Sequence, residues 1–392
     1  MTGGAESLGL RLHCQEGRVA AVEIRPRQRP DPLRLLAGCR PAAAPERLAR
    51  VFAVCGGAQG WACRLALAAA IGQPPPPEPV WALRLETARE HGRRLCLDLP
   101  LRLGLPADPR PVKILTRLGG PVGGSSVGGK VIGEEETALR RAVSEALPAG
   151  LPAALETPEA LALWAQRAET PLAAAFWRLH AADLAGFGAV SPRHLPPVAS
   201  LAGGDAQDAL PRRLRAAAAD FAVAPTWNGL PHETGPLATF AAHPLTEALS
   251  RRDGCGLLAR FAARLLAWVA AMQALGEGAG MAAAGTMAAA GTMAAAVGSG
   301  TQEGGAGAGW GLGLVETARG TLIHGLELAD PEAESFKAYT IVAPTEWNFH
   351  DKGCFVSGVM GSADGPELLP RAELLAVALD PCVAYDLTRV SG

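Results

Sequence analysis

Two cysteine segments, one near each end of the chain, carry the residue types best suited to chemistry. Cys55 stands among glycines, and Gln59 and Cys63 follow it at successive spacings of four, the spacing of one helix face. A thiolate at Cys55 would be favoured by a helix N-terminus if it lies in the first turn. Cys382 follows Pro381, whose ring fixes the backbone and can present the thiol toward a cavity. Cysteine is also commonly buried. The alternative interpretation is therefore that these are three partly buried helix residues without a chemical role.

The composition excludes several classes of protein. The 392 residues are 49% hydrophobic, enough for a folded globular protein without disulfides. A net charge of -2 gives no reason to expect nucleic acid or a membrane as a partner. The eight cysteines form no CxxC pair and the start MTGGAESLG does not resemble a signal peptide, so we expect free thiols in a cytoplasmic protein. The uncharged stretch Gly278 to Gln302 is too weakly hydrophobic to span a bilayer.

Apolar periodicity predicts a mainly α protein with small peripheral β-sheets, an α+β class. Alternating residues from Leu8 to Ile24 predict a hairpin, two alternating runs from Trp310 to Leu328 predict a second, and a short strand is expected at Ala338 to Val342. Helical periodicity predicts several further elements. These cover Pro45 to Ile71, Glu134 to Leu147, Thr157 to Leu184, Ala209 to Phe221, Leu245 to Leu275 and Pro366 to Leu379.

A low-complexity stretch interrupts this pattern. The unit Ala-Ala-Ala-Gly-Thr-Met repeats between Ala282 and Ala295, and the whole of Gly276 to Gly309 is poor in residues that could order it. We therefore expect one domain, with an N-terminal part at 1–275 and a C-terminal part at 310–392. A flexible surface insertion without chemistry is expected between them, at 276–309.

Five segments, in order along the chain, resemble motifs of the nickel-iron hydrogenase large subunit. For example, VETARGTLIH is similar to the family's Glu-Ala-Pro-Arg-Gly-x-Leu-x-His, and DPCVAY to its Asp-Pro-Cys-x-x-Cys. The resemblance implies that family's fold, and it leaves Gly72 to Asp220 without a convincing match. The five segments are Arg50 to Gln59, Trp227 to Ala238, Val315 to His324, Tyr339 to Asn348 and Asp380 to Tyr385.

The departures from the family pattern concern nickel. Four cysteines hold the metals in that family, and the resemblance makes Cys55 a bridging ligand and Cys382 a ligand of nickel alone. Phe52 and Tyr385 stand at the other two positions, and Gln59 replaces the histidine that would orient the bridging cysteine. Two thiolates cannot build a four-thiolate site, and neither phenylalanine nor tyrosine is a soft substitute. The resemblance therefore implies a non-catalytic relative that binds no nickel.

The iron side of the family's pocket is retained. By resemblance, Arg319 and Thr345, with Pro344 beside it, take the places of groups that contact the cyanides on iron. A metal-bound cyanide is an anionic acceptor, for which a guanidinium and a hydroxyl are suitable donors. The alternative is a buried turn that keeps its internal hydrogen bonds. We expect His324 to be a core histidine rather than a ligand.

This combination resembles the HupK-type hydrogenase expression and formation proteins. The resemblance implies an accessory scaffold in hydrogenase maturation that holds or transfers iron carrying cyanide and carbon monoxide, with Cys55 and Cys382 as the iron ligands. Hydrogenase maturation proteins and the hydrogenase large subunit are the expected partners. The alternative is a metal-free chaperone or docking module for maturation factors. A carrier requires both sulfurs to face one cavity beside Arg319, and a pure chaperone does not.

Overall fold

Short strands form two small sheets in the described part of the chain. In the computed structural model, the described residues are 7–27, 31–52, 54–118, 134–181, 184–202, 210, 213–214, 218–276, 294–298, 309–330 and 334–391. One sheet has three strands in the order β2-β1-β7, and the other has four in the order β3-β4-β5-β6. The strands are β1 (Leu8–Gln15), β2 (Arg18–Arg25), β3 (Ala294–Gly298), β4 (Trp310–Thr317), β5 (Gly320–Leu328), β6 (Phe336–Val342) and β7 (Tyr385–Ser391). Both predicted hairpins and the strand predicted at Ala338 to Val342 are confirmed.

Helices make up most of the remaining described structure, which confirms the mainly α class. A π-helical turn, Arg94–Asp98, joins the fourth helix to the fifth. The helices are α1 (Pro32–Leu35), α2 (Ala44–Val51), α3 (Gly56–Ala70), α4 (Val80–Arg93), α5 (Leu99–Arg102), α6 (Arg110–Leu118), α7 (Glu134–Ala146), α8 (Leu151–Ala154), α9 (Pro158–Arg167), α10 (Pro171–Ala181), α11 (Val198–Ala202), α12 (Ala218–Val223), α13 (Pro236–Thr239), α14 (Pro244–Asp253), α15 (Leu257–Gly276), α16 (Pro344–Asn348), α17 (Cys354–Val359) and α18 (Leu368–Leu379).

Three stretches predicted as continuous helices are each divided in two, so those predictions were wrong at the breaks. The first breaks between α2 and α3, just before Cys55. The second breaks where Ala168 adopts a left-handed conformation and Pro171 begins α10. The third breaks at Gly254, whose φ of 73° a helix cannot contain. Only part of the helix predicted at Ala209 to Phe221 lies in the described residues.

The predicted insertion is not wholly irregular. Ala294–Gly298 forms β3, which pairs antiparallel with β4, so the expectation of a flexible segment is wrong for these residues. The pairing extends the sheet because the backbone N–H and C=O groups on the outer edge of β4 are available to another extended segment. Gly276 belongs to α15, and most of the remaining insertion lies outside the described residues.

Helix α15 is the centre of the main hydrophobic core. Leu258, Phe261, Leu265 and Trp268 are among its fully buried side chains. It is the one described helix long and apolar enough to cross a membrane, with a mean hydropathy of 1.3. Because 78% of that window is buried inside the protein, it has the character of a core helix.

Two glycines on one face of β4 allow this strand to pack directly against the backbone of α3. A Cβ on Gly311 or Gly313 would overlap the backbone carbonyls of Ala66 and Ala62, respectively. Two residues of strand rise about as far as four residues of helix, so each glycine meets one small residue of the helix. Residue numbers increase along β4 in the direction in which they decrease along α3, so the strand and the helix run antiparallel. The N-terminus of α3, with Cys55, therefore lies toward the end of β4 that leads into the Arg319 turn.

Candidate functional site

The Cys55 thiol lies at the very start of α3. Cys55 is the N-cap residue, but its side chain makes no capping bond. Instead, the Glu86 carboxylate of α4 accepts from the backbone N–H groups of Gly57, at 2.8 Å, and Ala58, at 3.2 Å. A Cβ on Gly57 would crowd Glu86, so the glycine permits this approach. Burial raises the pKa of Glu86 to about 7, although both backbone bonds oppose the rise.

Cys382 is fixed by Thr345 at the start of α16. The Thr345 hydroxyl accepts from the Cys382 backbone N–H at 3.0 Å and donates to Cys382 Sγ at 3.1 Å. Pro344 occupies the first turn of α16, where its missing N–H is not needed. Three residues that the sequence assigned to one site, Pro344, Thr345 and Cys382, are thus brought together.

Arg319 occupies the turn between β4 and β5 and is almost fully buried. Its Nε donates to Asp380 Oδ1 at 3.2 Å, and its Nη2 donates to Glu90 Oε2 at 2.8 Å. Burial opposes the charge, but the two carboxylates outweigh it and raise the pKa of Arg319. Nη1 makes no hydrogen bond to any residue that the structure describes. The Nε and Nη2 groups therefore hold the guanidinium in place, while Nη1 is available to donate a hydrogen bond to a ligand.

Asp380 joins Arg319 to the Cys382 segment. It lies between α18 and Pro381 with a φ of 55°, and Arg264 Nη1 donates to its Oδ2 at 2.8 Å. Arg94 Nε donates to its other oxygen. Burial alone would raise the pKa of Asp380, but Arg319, Arg264 and Arg94 hold it well below its usual range. This carboxylate fixes the backbone from which Cys382 projects.

The two candidate thiols converge. Cys55 and Cys382 pack against the same hydrophobic cluster, which contains Ala58, Val315 and Ala343. Burial and then the neighbouring Cys382 raise the pKa of Cys55 to about 12, while Arg319 opposes the rise. Burial also raises the pKa of Cys382, again opposed by Arg319. Both thiols are therefore protonated near neutrality, and a metal that bound them would have to displace their protons.

A chain of buried hydrogen bonds ends at the Cys55 sulfur. Gln59 Nε2 donates to Cys55 Sγ at 3.5 Å, so its Oε1 is left to accept from His324 Nε2 at 2.8 Å. His324 Nδ1 then accepts from the Tyr339 hydroxyl at 2.8 Å. Burial lowers the pKa of His324 to about 3, which keeps the ring neutral in this single tautomer. His324 is a core residue, as expected, and it also orients Gln59.

The sequence prediction missed the contribution of α4 and of the π-helical turn that continues it. Glu86, Glu90 and Arg94 recur at intervals of four and reach the α3 N-terminus, Arg319 and Asp380, respectively. They lie within the part of the chain that gave no motif match. The interval was the available signal, because residues four apart share one helix face.

The comparisons with known proteins identify the family. No protein-family model matches the chain. The hydrogenase expression/formation protein HoxV of Cupriavidus necator is 33% identical over 363 residues, which cover 90% of this chain and 88% of that protein. The chain belongs to this hydrogenase expression/formation protein family. The HupK protein of Rhizobium leguminosarum is 45% identical over 83 residues, or 21% of this chain and 22% of that protein.

This expression/formation protein has the fold of a nickel-iron hydrogenase large subunit. The nickel-iron-selenium hydrogenase of Desulfomicrobium baculatum in its reduced, active form superposes with a TM-score of 0.57 at 14% identity, over 95% of each chain. A variant of the Desulfovibrio vulgaris Hildenborough enzyme gives 0.55 at 15% identity, over 94% of each chain. At these identities the likeness shows the fold alone, and it confirms the predicted architecture.

The expression/formation protein lacks a complete donor set for a metal in its described residues. No group of three or more His, Cys, Asp or Glu side chains there could hold a metal ion. Phe52 packs into a different hydrophobic cluster, beside Leu36 and Leu48. Tyr385 packs against the main core at the start of β7. The two positions that the resemblance gave to thiolates therefore hold packing residues.

Proposed function

We propose that this protein acts in hydrogenase maturation as a non-catalytic scaffold that holds or passes on iron carrying cyanide and carbon monoxide. One observation carries the proposal: the Cys55 and Cys382 thiols pack against one cluster, and the buried Arg319 guanidinium acts on both. Two thiolates are soft ligands suited to iron, and the rest of its coordination would come from the diatomic ligands of the cargo.

Arg319 supplies the recognition of cyanide in this proposal. Its Nε and Nη2 are bound to Asp380 and Glu90, which fixes the plane of the guanidinium. The remaining Nη1 group would donate to a cyanide nitrogen in a charge-assisted bond.

Thr345 would serve the cargo in a second way. Its hydroxyl has a single proton, which goes to Cys382 Sγ. A hydroxyl can turn about its C–O bond, so the same proton would be available to a cyanide once the sulfur is bonded to iron. Cys382 N–H would continue to hold the Thr345 oxygen in place.

The second candidate is a metal-free docking module for maturation factors. It is favoured by the ion-pair network of Arg319, Asp380 and Glu90, which is satisfied without any ligand. The names of the relatives suit either function, since an expression/formation protein need not carry metal. The proposed partners of both candidates are hydrogenase maturation proteins and the large subunit.

Infrared spectroscopy separates the two candidates. The protein is purified without oxygen from a host that contains the hydrogenase maturation genes, and carbon monoxide and cyanide stretches of bound iron are sought. We expect these bands in the wild type and in Cys39→Ser, a matched control at a half-buried thiol outside the cluster. Cys55→Ser and Cys382→Ser should each lose them. Bands absent from a folded wild type that still binds maturation partners would favour the docking module.

A further inference from the structure

A cavity lies beside the β4–β5 turn, with Glu316, Thr317 and Thr321 in its wall. Its volume is about 170 Å³, and small residues of α15, Ala267, Ala270, Ala271 and Ala274, form one wall. An apolar cavity of about 150 Å³ is large enough for benzene, so a six-carbon body fits here. The cavity contacts neither candidate thiol among its lining residues. It therefore needs an explanation separate from iron.

Glu316 gives the cavity an unusual polar end. Its Oε2 accepts from the Thr321 hydroxyl at 3.0 Å, and Thr239 is its other hydrogen-bonding neighbour. Glu316 is surrounded by protein, yet part of its surface remains accessible because it faces the cavity. It forms no ion pair with any residue that the structure describes. Burial raises the pKa of Glu316 to about 7, against the effect of the threonines.

The other polar groups in the wall do not supply the missing positive charge. His91 is neutral, because burial and then the charge of Arg264 lower its pKa. Arg84 also lines the cavity, but the pKa of Glu316 is shifted by burial, Thr321 and Thr239 and not by the charge of Arg84. A carboxyl group that faces open space without a counter-charge is complementary to a cation.

We propose that this cavity binds a small organic ammonium ion with an apolar body of about four to six carbons. The ammonium group would donate to Glu316, and the chain would lie against the alanines of α15. Thr317 forms part of the same wall, and its hydroxyl accepts from the Arg319 backbone N–H at 3.2 Å. The ligand would thus lie against the turn that positions Arg319. This site does not depend on the proposed iron cargo.

The competing explanation is a neutral acid that serves only the fold. A protonated Glu316 would accept from Thr321 and donate to Thr239, whose own hydroxyl donates to Gly235 O at 3.1 Å. Glutamine reproduces both bonds with its carbonyl and amide groups. Glu316→Gln therefore preserves a structural role and removes only the capacity for negative charge.

Titration of the full-length protein with n-butylammonium and n-pentylammonium tests the proposal, with binding measured by calorimetry and by the shift in Tm. The matched neutral probes are n-butanol and n-pentanol. We expect saturable binding of the ammonium ions to the wild type. The alcohols should bind the wild type, and the ammonium ions should bind Glu316→Gln, at least about tenfold more weakly. Glu247→Gln, at an exposed carboxylate on α14, should bind like the wild type.

A second variant covers the case in which Glu316→Gln does not fold. Ala271→Leu fills the cavity from the α15 wall without touching the carboxyl group, and it should abolish ammonium binding. Equal binding of alcohols and ammonium ions would overturn the proposal, because only the apolar walls would then matter. Undiminished ammonium binding to Glu316→Gln or to Ala271→Leu would also overturn it, as would no binding to the wild type.

Discussion

Arg319 Nε lies 3.2 Å from Asp380 Oδ1, so the proposed cyanide donor is tied to the residue two positions before Cys382. The same Asp380 carboxylate also accepts from Arg264 and Arg94. Arg319 is therefore a member of a buried ion-pair network as well as a candidate donor. A variant at this position changes both properties, and its test must distinguish them.

We expect Arg319→Lys to fold and to lose most of the iron-bound cyanide signal. A lysine can reach only one of Asp380 and Glu90 at a time and cannot copy the planar fork. Arg264 and Arg94 continue to neutralise Asp380, so the loss of unfolding free energy should stay near about 1 to 3 kcal/mol. Urea unfolding and infrared spectra measure the two effects, with Arg251→Lys on the surface as the control. Unchanged cyanide bands in the lysine variant would mean that Arg319 serves the fold alone.

Gln59→Leu should destabilise the protein and change the environment of Cys55. Leucine leaves the His324 Nε2–H without its acceptor, which costs about 1 to 3 kcal/mol for a buried donor. The loss should appear in urea unfolding and should be absent in Gln73→Leu, an exposed position after α3. A Gln59→Leu protein as stable as the wild type would show that His324 finds another partner.

Glu316→Gln should become more stabilising as the pH rises. The unfolded chain releases this proton near 4.5 and the folded chain near about 7, so the wild type loses stability across that interval. The variant has no such loss, and its advantage should grow from near zero at pH 4 to about 3 kcal/mol at pH 8. Urea unfolding of both proteins from pH 4 to 8 measures the difference. A difference independent of pH would show that Glu316 titrates normally.

Gly313→Ala should be among the most damaging single substitutions in this sheet. Its Cβ would overlap the carbonyl of Ala62, and backbone cannot move aside as a flexible side chain can. We expect a loss of at least about 3 kcal/mol, or failure to fold. Gly365→Ala is the control, since nothing lies within 4 Å of its Cβ position. Thermal unfolding should leave the control within about 0.5 kcal/mol of the wild type.

Local patterns were sufficient to predict the elements but not their interruptions. The alternation from Leu8 to Ile24 and from Trp310 to Leu328 predicted both hairpins, because residues on one strand face recur with a period of two. The break before Cys55 has no proline, and the α3 N-terminus that follows it is capped by Glu86 from another helix. Such a cap is a tertiary contact that no local pattern contains.

For the site too, the sequence predicted individual residues but not the tertiary contacts between them. Motif resemblance selected Cys55, Cys382, Arg319 and Thr345, and the structure places them around one cluster. Their roles as metal or cyanide ligands remain predictions. The Asp380 network could not be predicted, because its partners come from segments far apart in sequence. The cavity at Glu316 was also missed, since enclosure by α15 and α4 is a property of packing alone.

Strand β7 pairs in parallel with β1, in the register Leu8 with Tyr385. The Ser7 hydroxyl bonds to the Asp386 carboxylate across 379 positions of sequence. During synthesis on the ribosome, β1 and the Cys55 segment emerge early, and that edge of β1 stays unpaired until the last strand arrives. Cys382 precedes that strand by three residues, so its thiol emerges long after that of Cys55. In the proposed function, loading of the cargo would therefore follow translation, since a nascent chain offers one thiol without the other.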